Sequence, residues 1–285
     1  MKNLKKLLFV ITLFLPLSLQ ALGHEAPVAS MPNAESTPQT SISIGEKLSY
    51  NIYFHMGFIW AKAGYGELSF KSETRHGAQQ LHGRLAAKSL NIVEHIMKVR
   101  DTLDCWFNYE MLPIEFRKGT HEGSYNAIAH YQYSPYWHNA AGTHSPANVD
   151  STSVSISRWR KKGKDEADTD DLKLSNPGVA YDMLSVFYSI RNLNYATMPQ
   201  GKKMQFTCYD GIKCQTINVE YIGPENCKLR NDKKYDAYLI YLTFDTKGEN
   251  ATPLKVWLSK TPDHRPVKAV IALKRIGSVQ CEISE

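Results

Sequence analysis

The 285-residue sequence lacks most of the short motifs that announce chemistry. There is no G-x-S-x-G turn to present a nucleophilic serine, no H-E-x-x-H or C-x-x-C to hold a metal, and no glycine-rich loop between a strand and a helix to cradle phosphate. Ala63-Gly64-Tyr65-Gly66-Glu67 continues a strand pattern instead, its glycines suited to a bulge or close packing. His130, His138 and His144 are spaced too loosely for a metal site and read as surface histidines. Ser259, Asp263 and His264 share the loop SKTPDHRP, where neighbours on one turn do not converge into a triad. Internal repeats are absent as well. These absences point away from an enzyme and away from any metal or cofactor.

Long apolar runs are scarce beyond the N-terminus. Lys2, Lys5 and Lys6 precede an apolar stretch from Leu7 to Leu19, and Ala21-Leu22-Gly23 follows as a small-x-small site. Residues 1–23 therefore read as a cleavable signal peptide, predicting an exported, periplasmic or secreted protein. No cysteine follows the apolar core, so the pattern is not that of a lipoprotein signal. Removing the segment takes three lysines and no acids, lowering the net charge from +6 to +3. That charge is too small and dispersed for nucleic acid. Residues 24–43, rich in Pro, Ser, Thr and Ala, read as a disordered tether. Residues 44–285 remain as one β-rich domain.

Only five cysteines are present. Cys208 and Cys214 bracket TCYDGIKC, whose Asp210-Gly211 marks a hairpin. A two-residue turn there puts the two thiols on opposite faces, and a three-residue loop puts them together. A Cys208–Cys214 disulfide stands beside the alternative of two small buried thiols.

What the chain does have is a two-residue period. From Leu48 into SYNIYFHMGFIWAKAGYGELSF, Leu48, Tyr50, Ile52, Phe54 and Met56 share one side, with Ser49, Asn51, Tyr53 and His55 between them. Lys62, Glu67 and the internal glycines exclude a bilayer helix, leaving a strand pair. The same period recurs to the C-terminus, predicting roughly ten to twelve strands joined by short turns. The stretch 161–171 is a basic run followed by an acidic one and reads as a solvated loop. Residues 90–97 suggest a short helical turn. One amphipathic helix is predicted at about 178–193, opened by Ser175-Asn176-Pro177. Its apolar stripe is Met183, Phe187 and Ile190, with Asp182, Ser185, Ser189 and Arg191 turned outward. The predicted fold is mainly β: an antiparallel, strongly curved sheet or barrel holding this helix on its concave side.

The order of motifs resembles a family of exported bacterial proteins catalogued as domain of unknown function 3108. GEKLSYNIYF, AGYGELSF, VRDTLDCWF, the helix-to-hairpin segment AYDMLSVFYSIRNLNYATMPQGKKMQFTCYDGIKC and the terminal LKVWLSKTPDHRPVKAVIALKRIGSVQCEI carry the resemblance. It covers roughly 44–285 and implies no assigned activity or catalytic motif. By fold-level analogy it points to open-barrel envelope proteins that hold lipid or lipid-anchored cargo, such as the Lol-type lipoprotein carriers.

Two binding surfaces are predicted. A curved sheet too large for one helix would leave a cavity for a lipid or other hydrophobic ligand, lined by Tyr53, Phe58, Trp60, Phe187, Trp257 and Ile271. The alternative is an outer surface for an envelope glycan or protein partner, built from the aromatics of 125–159 with Tyr136 and Trp137 foremost. Alternate members of that cluster, such as Tyr131 and Tyr133, are expected to face the core.

Overall fold

A computed structural model gives the fold. It describes residues 40–95, 98–137, 146–210, 213–244, 253–273 and 277–284. The segment read as a signal peptide, most of the tether, His138 and His144 lie outside the described residues. Ile42 does not behave as part of a tether: it is 3% exposed in the core, and Thr40 Oγ1 donates to Asn192 Oδ1 at 2.7 Å.

All the strands belong to one fourteen-stranded sheet, more than the periodicity predicts. They are β1 (Glu46–Met56), β2 (Ile59–Arg75), β3 (Ala78–Ser89), β4 (Arg100–Phe107), β5 (Pro113–Glu122), β6 (Tyr125–Trp137), β7 (Val149–Lys162) and β8 (Asp168–Pro177). The second set is β9 (Lys203–Asp210), β10 (Lys213–Lys228), β11 (Lys234–Phe244), β12 (Leu254–Ser259), β13 (Pro266–Leu273) and β14 (Gly277–Ser284). Helix α1 (Asn91–Glu94) sits between β3 and β4, and α2 (Met183–Arg191) between β8 and β9. Each set is an antiparallel meander, and pairing of β1 with β14 joins the two in the middle of the sheet. The strand order leaves β8 and β9 at the edges. The β8 edge is blunted by Asp168, Asp170, Asp171 and Lys173. The β9 edge is partly covered by the chain ahead of α2, where Tyr181 N donates to Thr207 O and Tyr209 N to Tyr181 O, both at 2.9 Å.

The stretch Ser175-Asn176-Pro177 ends β8, paired with Ser153, Thr152 and Ser151, and does not cap the helix. Asp182 is the N-cap. Its Oδ1 accepts from Leu184 N and Ser185 N, both at 2.8 Å, and Ser185 Oγ accepts from Asp182 N. The polar residues expected outside are inside: Asp182, Ser185 and Arg191 are all 0% exposed. The curved sheet surrounds α2, so each polar group finds its partner within the fold. Arg191 donates from Nη1 and Nη2 to both oxygens of Glu46 at 2.8 and 2.7 Å. It also donates to the carbonyls of Asp263 and His264. His264 Nδ1 in turn donates to the Arg191 carbonyl at 2.7 Å.

Tyr188 lies against Phe70 and Phe107 and donates to Ser69 O at 2.8 Å. Gly83 makes room for it, since a Cβ there would lie 2.3 Å from the Tyr188 ring. Phe187 touches both large apolar clusters, one built on β1–β7 and one on β9–β12. Truncating Arg191 to Met strands the buried Glu46 carboxylate and is expected to cost about 3–5 kcal/mol. Gly83→Ala is expected to cost roughly 1–3 kcal/mol by overpacking. Urea unfolding midpoints of the two variants check both.

Candidate functional site

Alternation along the strands decides which side chains face the concave side. One cross-strand row beside α2 reads Phe70, Gly83, Cys105, Phe116, Tyr131 and Ile156. It is apolar and closed. The next inward row, two residues farther from the helix, reads Leu68, Leu85, Leu103, Lys118, Ala129 and Arg158. Here the chemistry changes midway, from aliphatic on β2–β4 to charged on β5 and β7. Leu85, Leu103 and Ala129 belong to interior strands and point inward, yet are only partly buried. Water must therefore reach them from the concave side. So must it reach Ile271 and Leu273 on β13 and Ala87 on β3, which pack partly buried around Ile52, Phe54 and Val279. Helix α2 packs against the base of the sheet's hollow, and no described helix packs on the half toward the β1–β2 turn, the chamber, where these partly buried side chains lie.

The chamber has two unlike walls. The β13, β14, β1 and β2 side is aliphatic. The β4, β5, β7 and β9 side is ionic. Lys118 Nζ donates to Asp210 Oδ1 at 3.1 Å, tying β5 to the far edge of the sheet. Arg158 pairs with Asp170, and Arg160 with Asp168 and Asp170. Burial pushes the Asp101 carboxyl up to about 6, against a backbone donation from His121 N. Glu122 is pushed up to about 7, first by burial and then by repulsion from Asp101, with Lys118 opposing. Asp210 is also raised by burial, again opposed by Lys118. Beneath them, burial lifts Asp182 to about 6, although Cys105 Sγ donates to its Oδ2 at 3.2 Å. The outer face directly behind this wall is a separate polar network. Trp106 lies between His82, at 4.5 Å, and the Arg75 guanidinium, at 3.8 Å, and donates to Glu73.

The six residues predicted to line one cavity do not meet. Ile271 is in the chamber, and Phe187 lies beneath it on the helix. Tyr53 alternates with buried Ile52 and Phe54 and faces the outer side, where Arg230 lies 5.1 Å from its ring and 4.3 Å from that of Trp60. Trp257 also faces outward, donating to Glu225 at 3.0 Å. A bulge at Tyr221/Gly223 lets the β10–β11 hairpin fold over that side, where Cys227 and Leu229 form a small outer core with Trp257. Phe58 is 95% exposed at the β1–β2 turn. Charged wall residues such as Lys118 and Arg158 went unnoticed in the sequence; the inward phase of β5 and β7, counted from Phe116 and Ile156, was the signal that could have found them.

Of the outer aromatics, Tyr131 and Tyr133 face the core as expected. Tyr136 is 68% exposed, whereas Trp137 beside it is half-buried. An open groove of about 260 Å³ over β6–β8 is lined by His130, Gln132, Ser155, Ser157, Asp171 and Lys173 together with Ile156 and Leu172; Tyr136 is not part of its lining. The Cys208–Cys214 bridge is not formed, and all five cysteines are free. Asp210 pairs with Lys213, so Cys208 faces Gln215 and Cys214 faces Tyr209, on opposite sides of the sheet. The loop with Ser259, Asp263 and His264 is structural: Asp263 pairs with Arg265 and His264 is spent on Arg191. Among the described residues no cluster of His, Cys, Asp and Glu is arranged to hold a metal ion. No helix among them is long and apolar enough to cross a membrane.

Residues 49–284 match the family described as protein of unknown function (DUF3108), and the chain belongs to that family. No curated protein matches the sequence. Among solved structures, it is similar to a β-barrel-like protein of domain of unknown function DUF1849 from Brucella abortus. That likeness has a TM-score of 0.51 at 9% identity, covers 86% of this chain and 97% of that one, and shows a shared fold. Two further likenesses, at TM-scores of 0.33 and 0.34, are too distant to carry an argument. One is to a protein from Bacteroides fragilis described as exported with a YmcC-like fold, at 8% identity over 87% of this chain and 96% of that one. The other is to one from Parabacteroides distasonis described as a lipoprotein, at 9% identity over 88% and 99%.

The raised carboxyls make a signed prediction. A free glutamate titrates near 4.5 and Glu122 near 7, so between those values the folded state binds the extra proton. Stability from this group is therefore greatest at low pH and falls as pH rises from about 4.5 through about 7. Glu122→Gln should flatten that fall, raising the urea midpoint at pH 8 more than at pH 5.

Proposed function

We propose that the protein is an exported, non-catalytic binding protein whose chamber holds an amphiphile. The observation behind this reading is the pairing of the two walls: wetted aliphatic side chains on one side, buried ionic ones on the other. An acyl or similar chain laid along Leu85, Leu103, Ile271 and Leu273 would gain about 0.8 kcal/mol for each methylene removed from water. The opposite wall has more carboxyls than cations, and its cations are committed to Asp210, Asp168 and Asp170. It suits a head group that donates hydrogen bonds, an amine or polyol, better than a bare phosphate. Asp101 and Glu122, with acidities near neutral, can accept such bonds or share a proton with the head.

The test is native mass spectrometry of the protein purified from its own cell envelope, with organic extraction of what accompanies it. A stoichiometric lipid adduct is expected, and Leu103→Trp, which fills the hollow from the inward row, should remove it. A clean apo mass that persists after incubation with envelope lipids would overturn the reading.

The groove over β6–β8, on strands that also carry the exposed Tyr136, favours a second reading. Serine hydroxyls, the Gln132 amide and opposite charges at Asp171 and Lys173 line a trough that a glycan strand could follow. Here a glycan array is the check, with binding lost in Tyr136→Ala.

A further inference from the structure

The β1–β2 turn is the most exposed apolar point described in the chain. Met56 and Ile59 are paired across it, so Gly57 and Phe58 alone make the turn. Gly57 takes φ 59°, the left-handed value that a tight hairpin needs at its first position and that side chains resist. This leaves Phe58 at the apex, 95% exposed, with Met56 44% and Trp60 39% exposed on the two arms. His55 stacks on Trp60 at 4.1 Å, and the Arg230 guanidinium covers its ring at 4.3 Å. Lys62 lies 4.2 Å over Tyr65. Between Lys47 and Glu67 the chain has no acidic residue. The hairpin therefore runs from a bare apolar apex to an aromatic belt and then to cations.

We infer that this turn is a docking tip that inserts Phe58 into an anionic lipid surface. The order of its side chains follows a bilayer from the outside inward: apolar apex in the acyl boundary, Trp60 at the headgroup level, Lys62 and Arg230 beside the lipid charges. A protein partner is the poorer occupant. Stable interfaces bury about 1,200–2,000 Å² in total, far more than one two-residue turn presents, whereas a membrane accepts a narrow protrusion. The hairpin itself carries no carboxylate between Lys47 and Glu67 that would repel an anionic surface. The tip stands at the same end of the sheet as the mouth of the chamber, but its docking does not depend on what the chamber holds.

Flotation of the protein, purified from its own envelope, with vesicles of phosphatidylcholine containing a third phosphatidylglycerol tests this. The parent should float with the vesicles, and bromine-labelled acyl chains should quench a tryptophan signal that disappears in Trp60→Phe. Phe58→Glu, at a fully exposed position that spares the fold, should weaken vesicle binding about tenfold or more. Failure of the parent to float, or equal flotation of Phe58→Glu, overturns the inference. The chamber is scored separately: flotation by Leu103→Trp after it has lost bound lipid supports the tip as an independent device. Loss of flotation in that correctly folded variant would overturn its independence.

Discussion

A single buried cation organises the closed half of this molecule. Arg191 has no contact with solvent, and its guanidinium is shared between the Glu46 carboxylate at the start of β1 and two carbonyls in the β12–β13 turn. The first strand, the helix and a turn from the second meander are thereby locked to one planar group. Tyr50, two strand positions inward from Leu48, adds a bond to Pro266 O at 2.8 Å on the same seam. A buried ion pair contributes little net stability when compared with a well-packed apolar substitute, because desolvation offsets most of the attraction. What it enforces is geometry. A lone Glu46 or Arg191 in that place is so costly that the helix has one acceptable position, and that position sets how far the sheet can curl.

With the helix fixed at one end, the concave side divides into a dry floor and a wetted upper part. On the floor, Asp182 caps α2 and accepts from Cys105, and Tyr188 reaches Ser69 O. Above it, charges are gathered on one wall and aliphatic groups on the other. Lys118 and Asp210 bring β5 and the β9 edge together through side chains where no main-chain ladder connects them. The ionic wall is thus a fastening for the sheet edge as well as the charged side of the concave face.

Much of the fold was legible because strand alternation is local. The burial of β1, with Leu48, Tyr50, Ile52 and Phe54 inside and their neighbours outward, is the pattern its residue types dictate. The helix was legible in place but not in its surroundings. Ser175-Asn176-Pro177 has the composition of a cap, yet its backbone is occupied by pairing with β7. Arg191 and Asp182 look like solvent-facing residues until their partners are known, and Glu46 is 145 positions away from Arg191. The same limit applies to the site. Tyr53, Trp60 and Trp257 have the right residue type for a lipid pocket, but strand phase turns them outward, where a bent hairpin brings Arg230 to meet two of them. Lys118 and Arg158 look like surface charges, and only the register with Leu103 and Ala129 reveals that they line the hollow.

The pairing of β1 with β14 has a consequence for the history of each molecule. Strands near opposite ends of the chain are neighbours at the centre of the sheet, in register from Ser49 with Ser284 to His55 with Ser278. Synthesis supplies one partner more than 200 residues ahead of the other. Until then each meander exposes an unpaired central edge, and the Glu46 carboxylate waits for an arginine made much later. Such distant contacts make for slow folding. The nascent chain is therefore kept from completing its core until β14 has been made, a delay during which an unfolded polypeptide can still be threaded, bound or handed on.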